Sequence, residues 1–340
     1  MNNMKKVGLS ALAGSLVAFS ANAVELSVTG KTEITYSGTT DGNNGNKFGN
    51  GNAITFSGSG DMNGYTATYT AVIQDMGQAN SNTSETFASS SLMLDMGDMG
   101  TVGFDAGVGE FGVSTIDDKM QYAYEDIWTY TGASNGLRAA GGANVLGYSN
   151  TFAGYKLSVE VDPGHFSSAT ATKGQSGDGG NTGAGTDRSG YNYALTGSPI
   201  DGLNVGVGYG KEEDSGTAAA NKQDDTYTTG FATYAMGGLT VGYQKSEGNG
   251  GTTATNSNIV DIMGASFNIN DSLAVSINSM ENEFDKPSGT NVTEETDGVG
   301  ISYTMGSASL RMLRAETSNL AGVSTAKDVE HTEVSLMLAF

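Results

Sequence analysis

The sequence lacks several residue types on which soluble enzymes and nucleic-acid-binding proteins depend. Among its 340 residues there is no Cys, and Pro and His occur only 3 and 2 times. The absence of Cys excludes a disulfide scaffold, a zinc–thiolate site and a cysteine nucleophile. Only 16 Lys and Arg stand against 37 Asp and Glu, which gives a net charge of −21. We therefore expect no nucleic-acid partner, because the phosphate backbone would be repelled.

The sequence also lacks an apolar run of the roughly 20 residues that a membrane-spanning helix needs. A shorter apolar run, residues 7–19, follows Lys5 and Lys6 and precedes Ala21-Asn22-Ala23. A basic start, a short apolar run and small residues at its end are typical of a secretory signal peptide. We expect residues 1–23 to be a signal peptide cleaved after Ala23, and residues 24–340 to form one exported domain.

Apolar and polar residues alternate through much of residues 24–340. In the first run Leu26, Val28 and Ile34 share one face, and Ser and Thr residues share the other. Because strand side chains point to opposite faces with period two, such runs predict half-exposed β-strands. Asn63-Gly64 lies between two of them and favours a tight hairpin turn. The pattern predicts sixteen strands, the first at 24–38 and the last at 329–340.

The connections between the strands alternate in length. Short turns, such as 153–154 and 237–238, alternate with long polar loops, of which 107–142 is the longest. Short periplasmic turns and long outer loops are typical of outer-membrane barrels. The polar faces carry too much Ser, Thr, Asn and charge to pack a dry interior. The sequence therefore predicts an all-β fold: a 16-stranded antiparallel transmembrane β-barrel that contacts outer-membrane lipid and holds water inside.

The end of the chain resembles the C-terminal assembly signal of outer-membrane barrels, because the alternating residues 334–340 finish in Phe340. With the signal peptide, the Val24-Glu25-Leu26-Ser27 start and the sixteen-strand layout, the chain resembles a Gram-negative general porin of the alphaproteobacterial type. The resemblance implies a homotrimer in the outer membrane of a Gram-negative bacterium. It also implies one diffusion channel per protomer for small hydrophilic solutes and ions, narrowed by an inward-folded third loop.

The third long loop, 107–142, is the candidate constriction loop. Its aromatic residues would be unusual on a solvated tip, so we expect part of it to pack against the inner wall. Its carboxylates are the acidic candidates for the constriction: Glu110, Asp117, Asp118, Glu125 and Asp126. Glu110-Phe111-Gly112 resembles the Pro-Glu-Phe-Gly-Gly motif of porin constriction loops, with Gly109 in place of Pro and Val113 in place of the second Gly. The alternative is an ordinary solvated acidic loop.

Porin constrictions oppose the loop carboxylates with basic residues on the barrel wall, and this chain departs from that pattern. Residues 50–97 contain no Lys or Arg. The basic candidates for the constriction are Lys31, Lys156, Arg311 and, at the end of the loop, Arg138. An arginine facing lipid near the bilayer midplane costs ~2–4 kcal/mol, so Arg311 is expected to face the lumen. The excess of carboxylates predicts a preference for cations.

Asp117 and Asp118 also form the one metal site that the sequence suggests, because adjacent carboxylates can bind Ca²⁺. A solvated charge pair is the alternative, and no other cofactor is expected.

Enzyme motifs occur at the frequency expected by chance, so no enzymatic activity is expected. Gly107-Val108-Gly109-Glu110-Phe111-Gly112 matches G-x-G-x-x-G, but no βαβ unit surrounds it. Two other functions stay open. A substrate-selective outer-membrane channel would use the same fold, and a secreted β-rich adhesin or surface-layer protein would share the composition.

Overall fold

The computed structural model describes residues 23–40, 47–75, 87–135, 137, 143–163, 189–213, 224–249, 257–285 and 291–340. The predicted signal peptide, except Ala23, lies outside these residues. The strands are β1 (Ala23–Thr39), β2 (Phe48–Met62), β3 (Tyr65–Asp75), β4 (Phe87–Asp95), β5 (Thr101–Ala106), β6 (Ala143–Phe152), β7 (Tyr155–Asp162), β8 (Gly190–Ile200), β9 (Leu203–Glu212), β10 (Asp225–Met236), β11 (Leu239–Asn249), β12 (Ser257–Asn268), β13 (Leu273–Asp285), β14 (Val292–Met305), β15 (Ala308–Ser318) and β16 (Val329–Ala339). Short 3₁₀ turns occur at Gly97–Met99, Gly112–Thr115 and Leu320–Gly322.

The strands form a closed barrel in which each pairs antiparallel with its neighbours in sequence. The barrel closes between β1 and β16, where Lys31 lies opposite Ala339 and Thr39 opposite His331. We call this junction the seam. Closure leaves no unpaired sheet edge, and it confirms the predicted 16-stranded antiparallel barrel. Within the described part of the chain, no helix has the length and apolarity needed to cross a bilayer.

The short turns have the backbone geometry that their sequences require. Asn63 and Gly64 have φ angles of 57° and 86°, and Ala153 and Gly154 have φ angles of 51° and 85°. Positive φ at both central residues matches the right-handed twist of the flanking strands in a two-residue hairpin. The Asn63-Gly64 turn predicted from the sequence is thereby confirmed.

Apolar side chains cover the outside of the barrel. On β14, Val299, Ile301 and Tyr303 are 48%, 42% and 42% exposed, whereas Gly298 and Gly300, which alternate with them, face the interior. The same alternation leaves Tyr69 and Ile73 of β3 exposed outside. An exposed apolar surface of this extent is unfavourable in water and indicates a membrane or protein partner.

The third loop lies inside the barrel. β5 ends at Ala106 and β6 begins at Ala143, so the loop has the predicted bounds. Six of its apolar side chains are buried, namely Phe111, Val113, Ile116, Met120, Ile127 and Trp128, whereas Tyr130 is 43% exposed. Most of them pack in one cluster with inward-facing residues of the wall, among them Val260, Ile262, Met280 and Leu313. The predicted packing of the loop against the inner wall is confirmed.

This packing changes one expectation about the interior. The polar inner face predicted from the stronger sequence runs is interrupted on β12, β13 and β15, where apolar side chains point inward. They stay dry because the loop covers them, so the barrel interior combines an apolar patch beneath the loop with polar surface elsewhere. The sequence did not reveal this patch because alternation is weak in β12.

Inward-facing glycines allow the loop to lie close to the wall. Gly103 and Gly147 face each other across β5 and β6, and the ring of Phe111 lies over both. Gly242 lies beneath Met120, and Gly298 lies beneath Ile127. A side chain at any of these positions would meet the loop, which explains part of the high glycine content.

We predict that Gly147→Val detaches the start of the loop from the wall. A Cβ atom at this position would overlap the ring of Phe111, and overpacking of this kind costs about 1–3 kcal/mol. Chemical unfolding in detergent should show this loss, and limited proteolysis should cleave the loop faster than in wild type. Gly230→Val is the matched control, because the nearest atom to a Cβ placed at residue 230 would lie 3.6 Å away. Equal unfolding and cleavage in the two variants would contradict the prediction.

Candidate functional site

The candidate site is the third loop together with the inner wall that it touches. The loop begins with a turn held by Asp105, the second-last residue of β5, which is 2% exposed. The Asp105 carboxylate accepts backbone N–H bonds from Val108 (2.7 Å), Gly109 (2.9 Å) and Glu110 (2.6 Å). These three hydrogen bonds satisfy the buried carboxylate as well as the three backbone N–H groups. They also fix the direction in which the loop leaves the strand.

Polar wall residues then hold the loop backbone as it crosses β7 and β8. The N–H of Gly112 donates to Ser158 Oγ at 2.8 Å, and the N–H of Val113 donates to Asn192 Oδ1 at 2.7 Å. A loop inside a barrel needs partners for its peptide groups, and these inward-facing side chains supply them. The first turn of the loop is thereby fixed to two adjacent strands.

Gln244 on β11 makes the next attachment. It is fully buried; its Oε1 accepts from the N–H of Lys119 at 3.0 Å, and its Nε2 donates to the carbonyl of Ile116 at 3.0 Å. Further along, the N–H of Ala123 donates to Ser276 Oγ on β13 at 2.9 Å. One amide side chain can replace a complete peptide partner, so Gln244 pairs with the loop much as a neighbouring strand would.

At the seam, Arg311 on β15 connects the wall to the loop. Its guanidinium lies 2.6 Å from Glu33 Oε1 on β1 and 4.4 Å from the ring centre of Tyr124 in the loop. These contacts confirm that Arg311 faces the interior. Its ion-pair partner is therefore a wall carboxylate, which sequence reasoning missed, and its charge also acts on Glu125, one of the predicted loop carboxylates.

Three carboxylates converge beside Arg311. Oxygen atoms of Glu33 on β1, Glu125 in the loop and Glu333 on β16 all lie within 4.8 Å of one another. At an effective dielectric constant of about 20, two charges at this separation repel by about 3.5 kcal/mol. Burial, and then the charges of Glu333 and Glu33, raise the pKa of Glu125 to about 7. Glu125 thus faces the seam rather than the middle of the lumen.

The remaining loop carboxylates differ in environment. Asp126 accepts the backbone N–H groups of Trp128 and Thr129 at 3.0 and 2.7 Å, so it stabilises a turn. Asp118 is exposed to the interior of the barrel. Its pKa is nevertheless raised to about 6, first because the surrounding protein partly desolvates the carboxylate and then because Asp126 and Asp117 carry like charges. Burial likewise raises the pKa of Asp117. Both groups contribute negative charge to the exposed side of the loop.

The structure does not gather a third ligand at the suggested calcium site. Within the described ranges, the group of three metal-ligating side chains is Glu33, Glu125 and Glu333, and it includes neither Asp117 nor Asp118. Calcium binding at the aspartate pair stays a prediction.

The predicted basic residues are distributed over different parts of the interior. Lys156 on β7 lines a cavity of about 570 Å³ between the loop and the short turns, together with Lys119 of the loop. Lys31 is exposed on β1 opposite Ala339, at the end of β16. Arg138 lies outside the described residues. The loop acids and the wall bases therefore do not face each other as two opposed rows in the described part of the chain.

Glu110 is placed at the start of the loop by the Asp105 turn, and Phe111 beside it is fully buried.

The lumen side of β2 and β3 carries hydroxyl side chains, among them Thr55, Ser57, Thr68 and Thr70. This part of the wall belongs to the segment without Lys or Arg, so it contributes no fixed positive charge.

The comparisons with known proteins identify the fold. No protein-family model matches the sequence, and no curated protein matches it. Salmonella typhi OmpF, solved in complex with daunomycin, is 13% identical with a TM-score of 0.71, over 93% of this chain and 97% of that chain. An anion-selective porin from Comamonas acidovorans is 13% identical with a TM-score of 0.66, over 93% and 99%. The trimer form of in-vitro folded OmpT, an outer-membrane protein of Vibrio cholerae, is 10% identical with a TM-score of 0.66, over 93% and 99%. At these identities the likeness shows a shared barrel fold.

We predict that Asp105→Ala destabilises the loop. The change removes the shared acceptor of three N–H groups, and losing charged hydrogen bonds of this kind costs about 3 kcal/mol or more. The measurement is the free energy of unfolding in detergent, combined with proteolysis of the loop. Asp98→Ala, at an exposed position in a short turn, is the matched control. It should leave the free energy of unfolding and the rate of loop proteolysis unchanged. A wild-type result for Asp105→Ala would disprove the anchoring role.

Proposed function

We propose that the protein is an outer-membrane general diffusion porin that passes small hydrophilic solutes and ions through a water-filled channel. The observation that carries this proposal is the barrel itself, which is apolar outside, polar along β2 and β3 inside, and partly filled by a loop. A loop fixed to the inner wall narrows a channel without closing it. No chemical step is needed for this activity, so we propose no catalytic residues.

The outer membrane of a Gram-negative bacterium is the proposed location. The exposed outer residues on β14 form an apolar surface that lipid would cover, and aromatic residues such as Tyr36, Tyr155 and Phe267 are exposed on the outside. Aromatic rings at the edges of an apolar band suit the two lipid interfaces. The alphaproteobacterial type is proposed from sequence features alone, namely the signal peptide, the Val24-Glu25-Leu26-Ser27 start, the terminal Phe340 and the sixteen-strand layout.

A homotrimer is the proposed assembly. It is supported by the resemblance described above and by the solved OmpT barrel of the same fold, which is described as a trimer form. Trimers of this kind should migrate as one large species on gels without heating and as monomers after boiling. Migration as a monomer in both cases would contradict the proposal.

Cation preference follows from the charges that face the lumen. Asp117 and Asp118 lie on the loop, and Arg311 is already paired with Glu33. Five carboxylates stand against Lys119 in the described part of the loop, and the β2–β3 wall carries no base, so the fixed charge near the loop is negative. Negative side chains lower the barrier for cations and raise it for anions.

A substrate-selective channel is the second candidate function. The cavity between the loop and the short turns carries Lys119 and Lys156 among uncharged polar side chains such as Gln121 and Ser158. Two ammonium groups in one cavity could retain an anionic solute. Saturation of the conductance by such a solute would favour this function over general diffusion. A secreted adhesin is the third candidate function. Extraction of the protein from cells without detergent would favour this function.

We predict cation selectivity that rises with pH. Asp118 is mostly neutral one unit below its pKa of about 6 and mostly ionised one unit above it, so the negative charge of the lumen increases between about pH 5 and pH 7. Reversal potentials across planar bilayers in a KCl gradient should show this increase. Asp118→Asn should reduce this increase of cation selectivity with pH. Asp271→Asn, in an exposed short turn, should leave the increase unchanged. Anion selectivity at pH 7 would refute the assignment.

A further inference from the structure

We propose that Glu33, Glu125, Glu333 and His331 bind one divalent metal cation, which cross-links the third loop to the seam of the barrel. The site would be built from three separate parts of the chain: β1, the loop and β16. It does not depend on transport, because its ligands lie between loop and wall. Four observations support it.

The first is the geometry of the carboxylates. Their oxygens lie within 4.8 Å of one another, so a cation at the centre of the group is within about 2.8 Å of each. Metal–oxygen bonds of divalent ions are about 2.0–2.6 Å long, which small rotations of the side chains would reach. Glu33 and Glu333 are 13% and 5% exposed, so they are largely shielded from competing water.

The second observation is His331, which lies beside Glu333 at the edge of the three-carboxylate group. Its side chain is 3% exposed, and Nε2 has no hydrogen-bond partner although it lies 3.6 Å from Glu333 Oε2. The other ring nitrogen, Nδ1, lies 3.0 Å from the hydroxyl of Thr39. Metal-binding histidines characteristically use one nitrogen for the metal and the other for such a partner. Stacking on Tyr130 at 4.8 Å further fixes the ring.

The third observation is an unpaired oxygen on the loop side. Glu125 Oε2 is buried and has no hydrogen-bond partner. Buried carboxylate oxygens are nearly always satisfied, so an unpaired one on a carboxylate that lies beside two others is suited to binding a cation. The hydroxyl proton of Tyr124 is shared between Glu33 and Glu333, and the hydroxyl of Tyr130 donates to the Glu125 carboxylate but leaves Oε2 without a partner.

The fourth observation is the charge balance. With all three carboxylates ionised, as metal ligands must be, the group carries three negative charges, and Arg311 balances the one on Glu33. Two negative charges remain when His331 is neutral, and one divalent cation balances them. A donor set of carboxylates with one imidazole suits Mn²⁺ and Zn²⁺ better than Mg²⁺, which favours oxygen ligands and retained water.

The test uses Mn²⁺ as the probe and the full-length protein in detergent, after treatment with EDTA. Titration followed by electron paramagnetic resonance should show one Mn²⁺ bound per chain, and Zn²⁺ should displace it. Glu125→Gln should weaken Mn²⁺ binding at least tenfold. Glu281→Gln, an exposed glutamate on β13, is the matched control and should bind as wild type does. No stoichiometric binding by the wild type, or unchanged binding by Glu125→Gln, overturns the proposal.

A second variant tests the imidazole without changing the number of carboxylates. His331→Gln should weaken Zn²⁺ binding about tenfold, and unchanged Zn²⁺ affinity overturns the four-ligand site. Circular dichroism and heat-dependent gel migration show whether each variant retains the barrel. If Glu125→Gln does not fold, the Zn²⁺ affinity of His331→Gln decides whether the proposed metal site is correct.

Discussion

Each strand of this barrel must satisfy two different surroundings at once. One row of side chains points away from the barrel and the other points into it, so an outward Tyr69 and an inward Thr68 are neighbours on β3. Apolar side chains on the outside would be costly in water, and hydroxyl side chains inside would be costly in a dry core. Both costs disappear if hydrocarbon lies outside and water inside. The proposed membrane location, the proposed channel and the position of the loop all depend on this separation.

The loop is compatible with a polar interior because the wall provides for it in two ways. Inward amides and hydroxyls such as Gln244, Asn192 and Ser276 take the place of backbone partners. Inward glycines leave room for Phe111 and Ile127. Hydrogen bonds position the loop and apolar contacts exclude water beneath it. At the seam these contacts give way to charged groups, where Arg311 and three carboxylates join the loop to the first and last strands.

The fold could be predicted from the sequence because its signals are local. Alternation in β1 and the Asn63-Gly64 turn each involve neighbouring residues, and the bounds of the loop follow from the strands on either side. The site could be predicted only in part. The cost of an arginine that faces lipid predicts that Arg311 points inward, but its partner Glu33 is 278 residues away and meets it only when the barrel closes. Nothing in the alternating pattern distinguishes Gln244 or His331 from other inward polar residues, since their roles depend on the path of the loop.

The most direct test of the two-solvent account uses the absence of cysteine from the natural chain. Single cysteines would be introduced along β3, inward at Thr66, Thr68 and Thr70, and outward at Ala67, Tyr69 and Ile73. The protein in lipid vesicles would then be treated with a membrane-impermeant thiol reagent. The account predicts labelling of every inward position and protection of every outward one, with a period of two residues. Equal labelling of the two rows, or protection of the inward row alone, would contradict it.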